Sequence, residues 1–245
     1  MRIIVVLPSF NEADNLPAIF AGLQHLIRDT YNLDACVIVV DDGSTDRTVD
    51  VARTQAGALQ VDVIENQINQ GLAATFMRGI LAAVELAHDD DIIVCMDADN
   101  THLPGQILRM IRDIQEGRDV VIASRYREGA VIRGLSFSRR LLSRGMSFLF
   151  QLVYPIPGIR DYSCGYRAYR AGFLKHVLAS QGTRLFAQDG FACMVAILLR
   201  LHKEGAIFSE VPLVLRYDQK IGQSKMKIGS TIWRTLGVLL RERIH

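Results

Sequence analysis

Asp97 and Asp99, one residue apart at the end of the apolar run Ile92–Met96, are the most chemically pointed pair in this 245-residue chain. Two carboxylates so spaced at a strand end can both face a hard divalent cation, Mg2+ or Mn2+. Such a cation keeps several waters and takes its remaining ligands from a substrate's phosphates. Asp41-Asp42 closes another apolar run and is followed by Gly43-Ser44-Thr45-Asp46. It offers acceptors for a base N–H or for ribose hydroxyls. A third polar turn, Pro8-Ser9-Phe10-Asn11-Glu12, closes the first run. A nucleoside diphosphate meets both demands. Asp, Asn, Ser and Gly are also ordinary turn and cap residues, so one such turn signifies little. Three at one edge of a sheet call for a ligand.

To bring these turns together, their strands must end on one edge. Short β-branched runs alternate with segments of helical periodicity through the first half, the pattern of a parallel sheet covered by helices. Strands are expected over Ile3–Leu7, Cys36–Val40, Val61–Glu65, Ile92–Met96 and Val120–Ala123. Helices are expected over Ala13–Arg28, Asp46–Ala56, Leu72–His88 and Pro104–Glu116. Asp46, after Ser44-Thr45, reads as a capped start, and Pro104 occupies a first turn, where proline is tolerated. The fold class is therefore α/β. The first turn lacks the G-x-G-x-x-G of a dinucleotide site, which argues against a dehydrogenase.

A composition of 49% hydrophobic and 22% charged residues, with mean hydropathy +0.17, excludes disorder and is greasier than an ordinary soluble enzyme. The length suits one large domain, or one domain with an appendage. A net charge of +2 gives no expectation of nucleic-acid binding. Cys36, Cys95, Cys164 and Cys193 are scattered, without zinc or disulfide spacing, and read as core residues in a reducing compartment. The first run is too short for a signal peptide. No run reaches the ~18 apolar residues needed to span a bilayer; the longest candidate, Gly145 to Ile159, is broken by Gln151, Pro155 and Pro157.

Residues 133–154 explain part of the surplus hydropathy. On a helical wheel Ser136, Arg140, Ser143, Arg144, Ser147 and Gln151 form one polar stripe, while Leu141, Leu142, Met146, Phe148, Leu149, Leu152 and Val153 fill the rest. Arg133, Arg139, Arg140, Arg144, Arg160, Arg167, Arg170 and Lys175 are opposed between residues 130 and 175 only by Asp161. Each cation near an anionic bilayer contributes about 1 kcal/mol, so this helix is expected to lie on a membrane surface. A core helix with a solvated arginine edge, or a subunit interface in a homo-oligomer or with a membrane-protein partner, is the alternative use.

The ordered set P-S-F-N-E, V-D-D-G-S-T-D, N-Q-G-L-A-A and D-A-D resembles family 2 glycosyltransferases of the GT-A fold, and within them the dolichol-phosphate mannosyltransferase group of polyprenyl-phosphate glycosyltransferases. The likeness runs from the first strand to about Met226. It implies a Rossmann-like, mixed, mostly parallel sheet flanked by helices over residues 1–226, with the interfacial helix inside it and a helical tail over 227–245. It further implies that Pro8, Asn11, Glu12, Asp41, Asp42 and Asp97 bind the nucleotide sugar, and that Asp97 and Asp99 hold the metal. Ala123-Ser124-Arg125-Tyr126 is similar to the family's G-S-R-Y segment. Arg125, Arg139 and Ser143 resemble the set that grips the acceptor lipid phosphate. Arg216 and Gly222-Gln223-Ser224-Lys225-Met226 resemble the loop that closes over the site. Asp161-Tyr162-Ser163-Cys164-Gly165-Tyr166-Arg167 and Glu210-Val211-Pro212 match two further motifs. Two positions depart: Thr101 stands where relatives carry a glutamine metal ligand, and the helix before Glu210 has no internal acid, leaving Asp189 at its start as a substitute or as a charge favouring the helix dipole.

A hydroxyl acceptor must lose a proton as it attacks the anomeric carbon and needs a placed base. A lipid monophosphate is largely ionised at pH 7 and needs cations instead. The expectation is thus inverting, metal-dependent transfer of a sugar from GDP-mannose or a UDP-sugar to a polyprenyl or dolichyl phosphate, at the cytoplasmic face of a membrane, with Asp99, Arg125 and Asp189 as catalytic candidates. Transfer to a saccharide hydroxyl with Asp189 as base, and a catalytically silent membrane-associated nucleotide-binding protein, are the alternatives.

Overall fold

The computed structural model describes residues 1–187, 190, 192–222 and 237, apart from the side chains of residues 29 and 30. Seven strands form one sheet in the order β3-β2-β1-β4-β7-β5-β8. Four of them, β1 (Ile3–Ser9), β2 (Ala35–Asp41), β3 (Val61–Glu65) and β4 (Ile92–Cys95), run parallel. The fifth neighbour, β7 (Arg167–Arg170), is antiparallel to both β4 and β5 (Val120–Ser124), and β8 (Phe208–Pro212) lies parallel to β5. A separate pair joins β6 (Val131–Arg133) to β9 (Val214–Arg216).

The central strands are apolar on both faces because helices cover both: Ile3 to Leu7, Val37 to Val40 and Ile92 to Cys95 are all buried. The helices are α1 (Leu16–Gln24), α2 (Thr48–Thr54), α3 (Leu72–Leu86), α4 (Ile107–Gln115), α5 (Phe137–Val153), α6 (Ala171–Gln181) and α7 (Ala192–Lys203). Helix α3 approaches the sheet at Gly79, where an added Cβ would stand 2.4 Å from Val6 Cγ1 and 3.0 Å from Val40 Cγ2.

The five expected strands are present within two residues at each end. Three of the four expected helices start later than expected, whereas α3 starts at Leu72 as expected. Asp46 Oδ1 accepts the Thr48 N–H at 2.9 Å, which leaves Asp46 outside the first turn of α2. Pro104 opens a 3-10 turn, Pro104–Gln106, that leads into α4. The expected helix over Ala13–Arg28 becomes α1 followed by a π turn, His25–Thr30. Strand β7 has no counterpart among the expected runs, because Arg167 and Arg170 deny it an apolar pattern. Arg167 is nevertheless fully buried, with Nε donating to Cys164 O at 2.8 Å and Nη2 to Tyr162 O at 2.9 Å.

No helix among the described residues is long and apolar enough to cross a membrane. All four cysteines are buried, and no disulfide joins them among the described residues. The tail 227–245 lies outside the described residues, Gly237 excepted.

Candidate active site at the carboxyl edge of the sheet

Parallel register brings the three polar turns together. Ser9 is paired with Asp41, Asp41 with Glu65, and Val6 with Cys95, so the chain leaves β1, β2 and β4 on one edge. Asn11, in the left-handed region at φ +53°, bridges two of them: its N–H donates to Ser44 Oγ at 2.8 Å, and its Oδ1 accepts the Thr45 N–H at 2.8 Å. Glu12 N–H donates to Thr48 Oγ1 at 2.8 Å, and Glu12 Oε2 accepts from Asn15 Nδ2 at 2.7 Å.

The two adjacent aspartates have different surroundings. Asp42 Oδ1 accepts from Asn66 Nδ2 at 2.9 Å and from Gln70 N–H at 2.8 Å, and Oδ2 accepts from Gly71 N–H at 2.9 Å. Its carboxylate therefore holds the 66–71 loop that precedes α3. That loop lies against Gly43, whose φ is +71° and where an added Cβ would stand 2.8 Å from Asn69 N, leaving no room for a side chain. Asp41 Oδ2 accepts the Ser44 N–H at 2.9 Å. Its Oδ1 is buried with no hydrogen-bond partner among the described residues, an acceptor in want of a donor.

At the end of β4 the Asp97 N–H donates to His102 Nδ1 at 3.1 Å, and the His102 ring stacks on Tyr166 at 4.8 Å. Asn100, at φ +60°, turns the chain so that Thr101 donates to Asp99 Oδ1 through its N–H at 3.2 Å and its hydroxyl at 2.7 Å. The other oxygen, Asp99 Oδ2, accepts from Lys220 Nζ at 2.5 Å. Burial works against ionisation of Asp99, but Lys220 outweighs it and holds the carboxyl below its usual range. Asp97 stands deep in the cleft although 43% of its side-chain surface is reachable; lost solvation, with the charge of Asp99 beside it, raises its carboxyl despite His102. Pro8, Leu72, Phe76, Met96, Gly165 and Met194, with Cys95 and Asp97, line a small open recess at this point.

No cluster of three or more His, Cys, Asp or Glu able to hold a metal occurs among the described residues. Two hard carboxylates that already gather a cationic group fit a divalent ion completed by waters and substrate phosphates.

The basic groups come from the later strands and from α5. Arg125, just after β5, forks onto Asp161, with Nε 2.8 Å from Oδ2 and Nη2 2.6 Å from Oδ1, and Nη2 also donates to Ser163 Oγ at 2.7 Å. Glu210 Oε1 accepts the Arg160 and Asp161 N–H groups at 2.8 and 2.7 Å. Three motifs far apart in sequence are thus one buried network. Tyr126 OH meets Ser143 Oγ on α5, and Arg139 Nη1 reaches Tyr217 OH at 3.3 Å. Arg216 pairs with Asp218 at 2.9 Å, while its N–H donates to Thr101 O at 2.9 Å and ties β9 to the aspartate turn. Asp189 and Lys225 lie outside the described residues.

Helix α5 turns a mixed face inward, with Phe150 buried and Met146 and Val153 packed on the core. Ser147 is buried and donates to Arg160 O, and Ser143 faces Tyr126. Phe137, Leu141, Phe148 and Leu152, spaced by four and seven residues, are 79, 61, 69 and 70% exposed. These four apolar side chains stand outside the core. The basic cluster is narrower than its sequence span: Arg167 is interior, Arg170 pairs with Asp119, and Lys175 with Asp89.

Lys220, Asn15 and Tyr217 belong to no motif that the sequence displays. Asn15 Oδ1 accepts the Ile221 N–H, and Asn15 Nδ2 donates to Ile221 O, both at 3.1 Å. Only the proximity of Lys220 to Gly222 hints at a role.

A mostly parallel sheet with paired carboxylates at its carboxyl edge has the build of an α/β protein that binds its ligand there. The chain belongs to glycosyl transferase family 2, whose model matches residues 4–178. It is 31% identical over 98% of its length to a dolichol-phosphate mannosyltransferase of Pyrococcus furiosus, of which it spans 63%. It is 30% identical to a polyprenol monophosphomannose synthase of Mycolicibacterium smegmatis, over 94% of this chain and 83% of that protein. An undecaprenyl-phosphate mannosyltransferase of Micrococcus luteus shares 29% identity over 94% of this chain and 89% of its own. Among solved structures, the glucosyl-3-phosphoglycerate synthase of Mycobacterium tuberculosis, in complex with Mn2+, UDP and glucosyl-3-phosphoglycerate, superposes with a TM-score of 0.69 at 20% identity, covering 98% of this chain and 79% of that one. The fold is GT-A.

Proposed function

We propose that this glycosyltransferase moves a sugar, with inversion, from a nucleoside diphosphate to a polyprenyl phosphate, using Mg2+ or Mn2+, while lying on the cytoplasmic face of a membrane. The observation that carries the reading is α5, which sets Ser143 against Tyr126, the neighbour of Arg125, and Arg139 against Tyr217, and presents a row of exposed apolar side chains on its other side. A lipid phosphate needs both: cations for its head, and an apolar surface where its chain lies. The names of the relatives in Pyrococcus, Mycolicibacterium and Micrococcus support a prenyl-phosphate acceptor and a mannosyl donor. The ions in the Mycobacterium structure support a divalent metal.

In this reading Pro8, Asn11, Glu12 and Asp41 frame the nucleotide, with Asp41 Oδ1 as the waiting acceptor, and Asp42 contributes through the loop it holds. Asp97 and Asp99 bind the cation, which when present neutralises charge on the departing diphosphate. Arg125, Arg139, Ser143, Arg216 and Lys225 hold the lipid phosphate. A monoester with a second pKa of about 6 is already ionised at pH 7. Its oxygen forms the new bond to the anomeric carbon as the bond to the diphosphate breaks, and no base is required.

A panel of radiolabelled nucleotide sugars, GDP-mannose first and UDP-sugars next, offered with undecaprenyl phosphate and Mg2+ or Mn2+, is expected to place label in the organic phase. Asp99→Ala is expected to abolish it. Label on soluble saccharide alone would refute the lipid acceptor in favour of a hydroxyl acceptor with Asp189 as base. Absence of turnover with every donor would favour a silent nucleotide-binding protein.

A further inference from the structure

We propose that Lys220 is a built-in competitor for the divalent cation at Asp99, and that cation entry frees the 217–221 segment which Lys220 anchors. The inference rests on the reading of Asp97 and Asp99 as the carboxylates that bind the ion.

Asp99 has one oxygen to offer. Thr101 occupies Oδ1 with its N–H and hydroxyl, and Oδ2, the oxygen directed away from that turn, carries Lys220 Nζ at 2.5 Å. The pair is sheltered, with 11% of the Lys220 side chain and 14% of the Asp99 side chain exposed. An ammonium and a divalent ion cannot share one carboxylate oxygen, since like charges a few Å apart in a sheltered cleft repel strongly. One must leave, and the lysine is the one on a movable stem.

How much of the chain moves with the lysine is set by the other anchors of its segment. Ile221 is 55% exposed, so burial does not hold it. Asn15 holds it through two backbone hydrogen bonds, and Asn15 in turn donates to Glu12. At the other end Tyr217 accepts from Arg139. The segment therefore touches the nucleotide, metal and acceptor sides of the cleft at once, and the Lys220–Asp99 pair is its sheltered ionic anchor. With the ion bound, the displaced ammonium is within side-chain reach of phosphates gathered there. Metal loading and movement of the segment become one event.

The test uses the full chain without nucleotide. Mn2+ affinity is measured by paramagnetic resonance of the free ion for the wild type, Lys220→Met and Lys220→Arg. Amide hydrogen exchange over residues 217–221 is followed with and without Mn2+. Lys220→Met is expected to bind Mn2+ about tenfold more tightly, an ordinary size for coupling between two ligands, and Lys220→Arg to remain near wild type. Mn2+ is expected to speed exchange in the wild type, whereas in Lys220→Met exchange is already fast and the ion leaves it unchanged. Equal Mn2+ affinity in wild type and Lys220→Met would overturn the proposal while leaving the carboxylate site standing, as would wild-type exchange unmoved by Mn2+. Failure of every protein to bind Mn2+ would overturn both.

Discussion

The most consequential contact at the residue scale is the Arg125 fork on Asp161, because it fixes the arginine just beyond β5 while both groups are largely withdrawn from water. Burial alone would raise the Asp161 carboxyl, yet the guanidinium and the Arg125 N–H hold it below its usual range. An acid lowered on folding contributes its full stability above its unfolded value near 3.9 and loses it as pH falls through the folded one. Asp161→Asn is therefore expected to cost about 3–5 kcal/mol at neutral pH, the usual result of stripping one partner from a buried pair. In urea titrations the variant is expected to lose less stability than the wild type between neutral pH and pH ~3; parallel curves would refute the assignment. Asp97 and Asp99 were legible as candidate site residues because short spacing carries their meaning, and Arg125 only through its resemblance to a family segment. The division of labour between Asp41 and Asp42 was not, since it depends on a loop some 25 residues away reaching back to Asp42.

Elements were legible where their pattern was local. The β-branched runs became strands because helices cover both faces, whereas β7 lacks an apolar pattern because it carries arginines that bond to carbonyls and to Asp119. Helix α3 shows how closely the layers meet. Gly79→Ala adds a methyl where Val6 and Val40 already stand, and overpacking of this kind costs about 1–3 kcal/mol, against a gain of about 1 kcal/mol in helix propensity. A lowered melting temperature by calorimetry is the expected outcome; a rise would mean that the layers yield freely. The periodicity of α5 was readable as amphipathic, but which stripe faces the protein was decided by Ser143 and Ser147 finding partners in Tyr126 and Arg160.

For the whole molecule, the exposed stripe of α5 and its arginines make one surface that ought to meet an anionic bilayer. Cosedimentation with vesicles containing phosphatidylglycerol is expected at low salt and to weaken as salt rises, because surface charges are screened. The double variant Leu141→Glu with Phe148→Glu is expected to remain folded and to lose most of this binding; retention of binding would place the membrane contact elsewhere. The sequence by itself determined the parallel α/β sheet, the three polar turns at strand ends and the wide apolar helix, because each depends on residues near one another in the chain. Only the tertiary structure decided that Arg125, Asp161 and Glu210 form one network, that α5 faces outward, and that Lys220 sits on Asp99. Those contacts join residues 13 to 121 positions apart, and no local pattern encodes them.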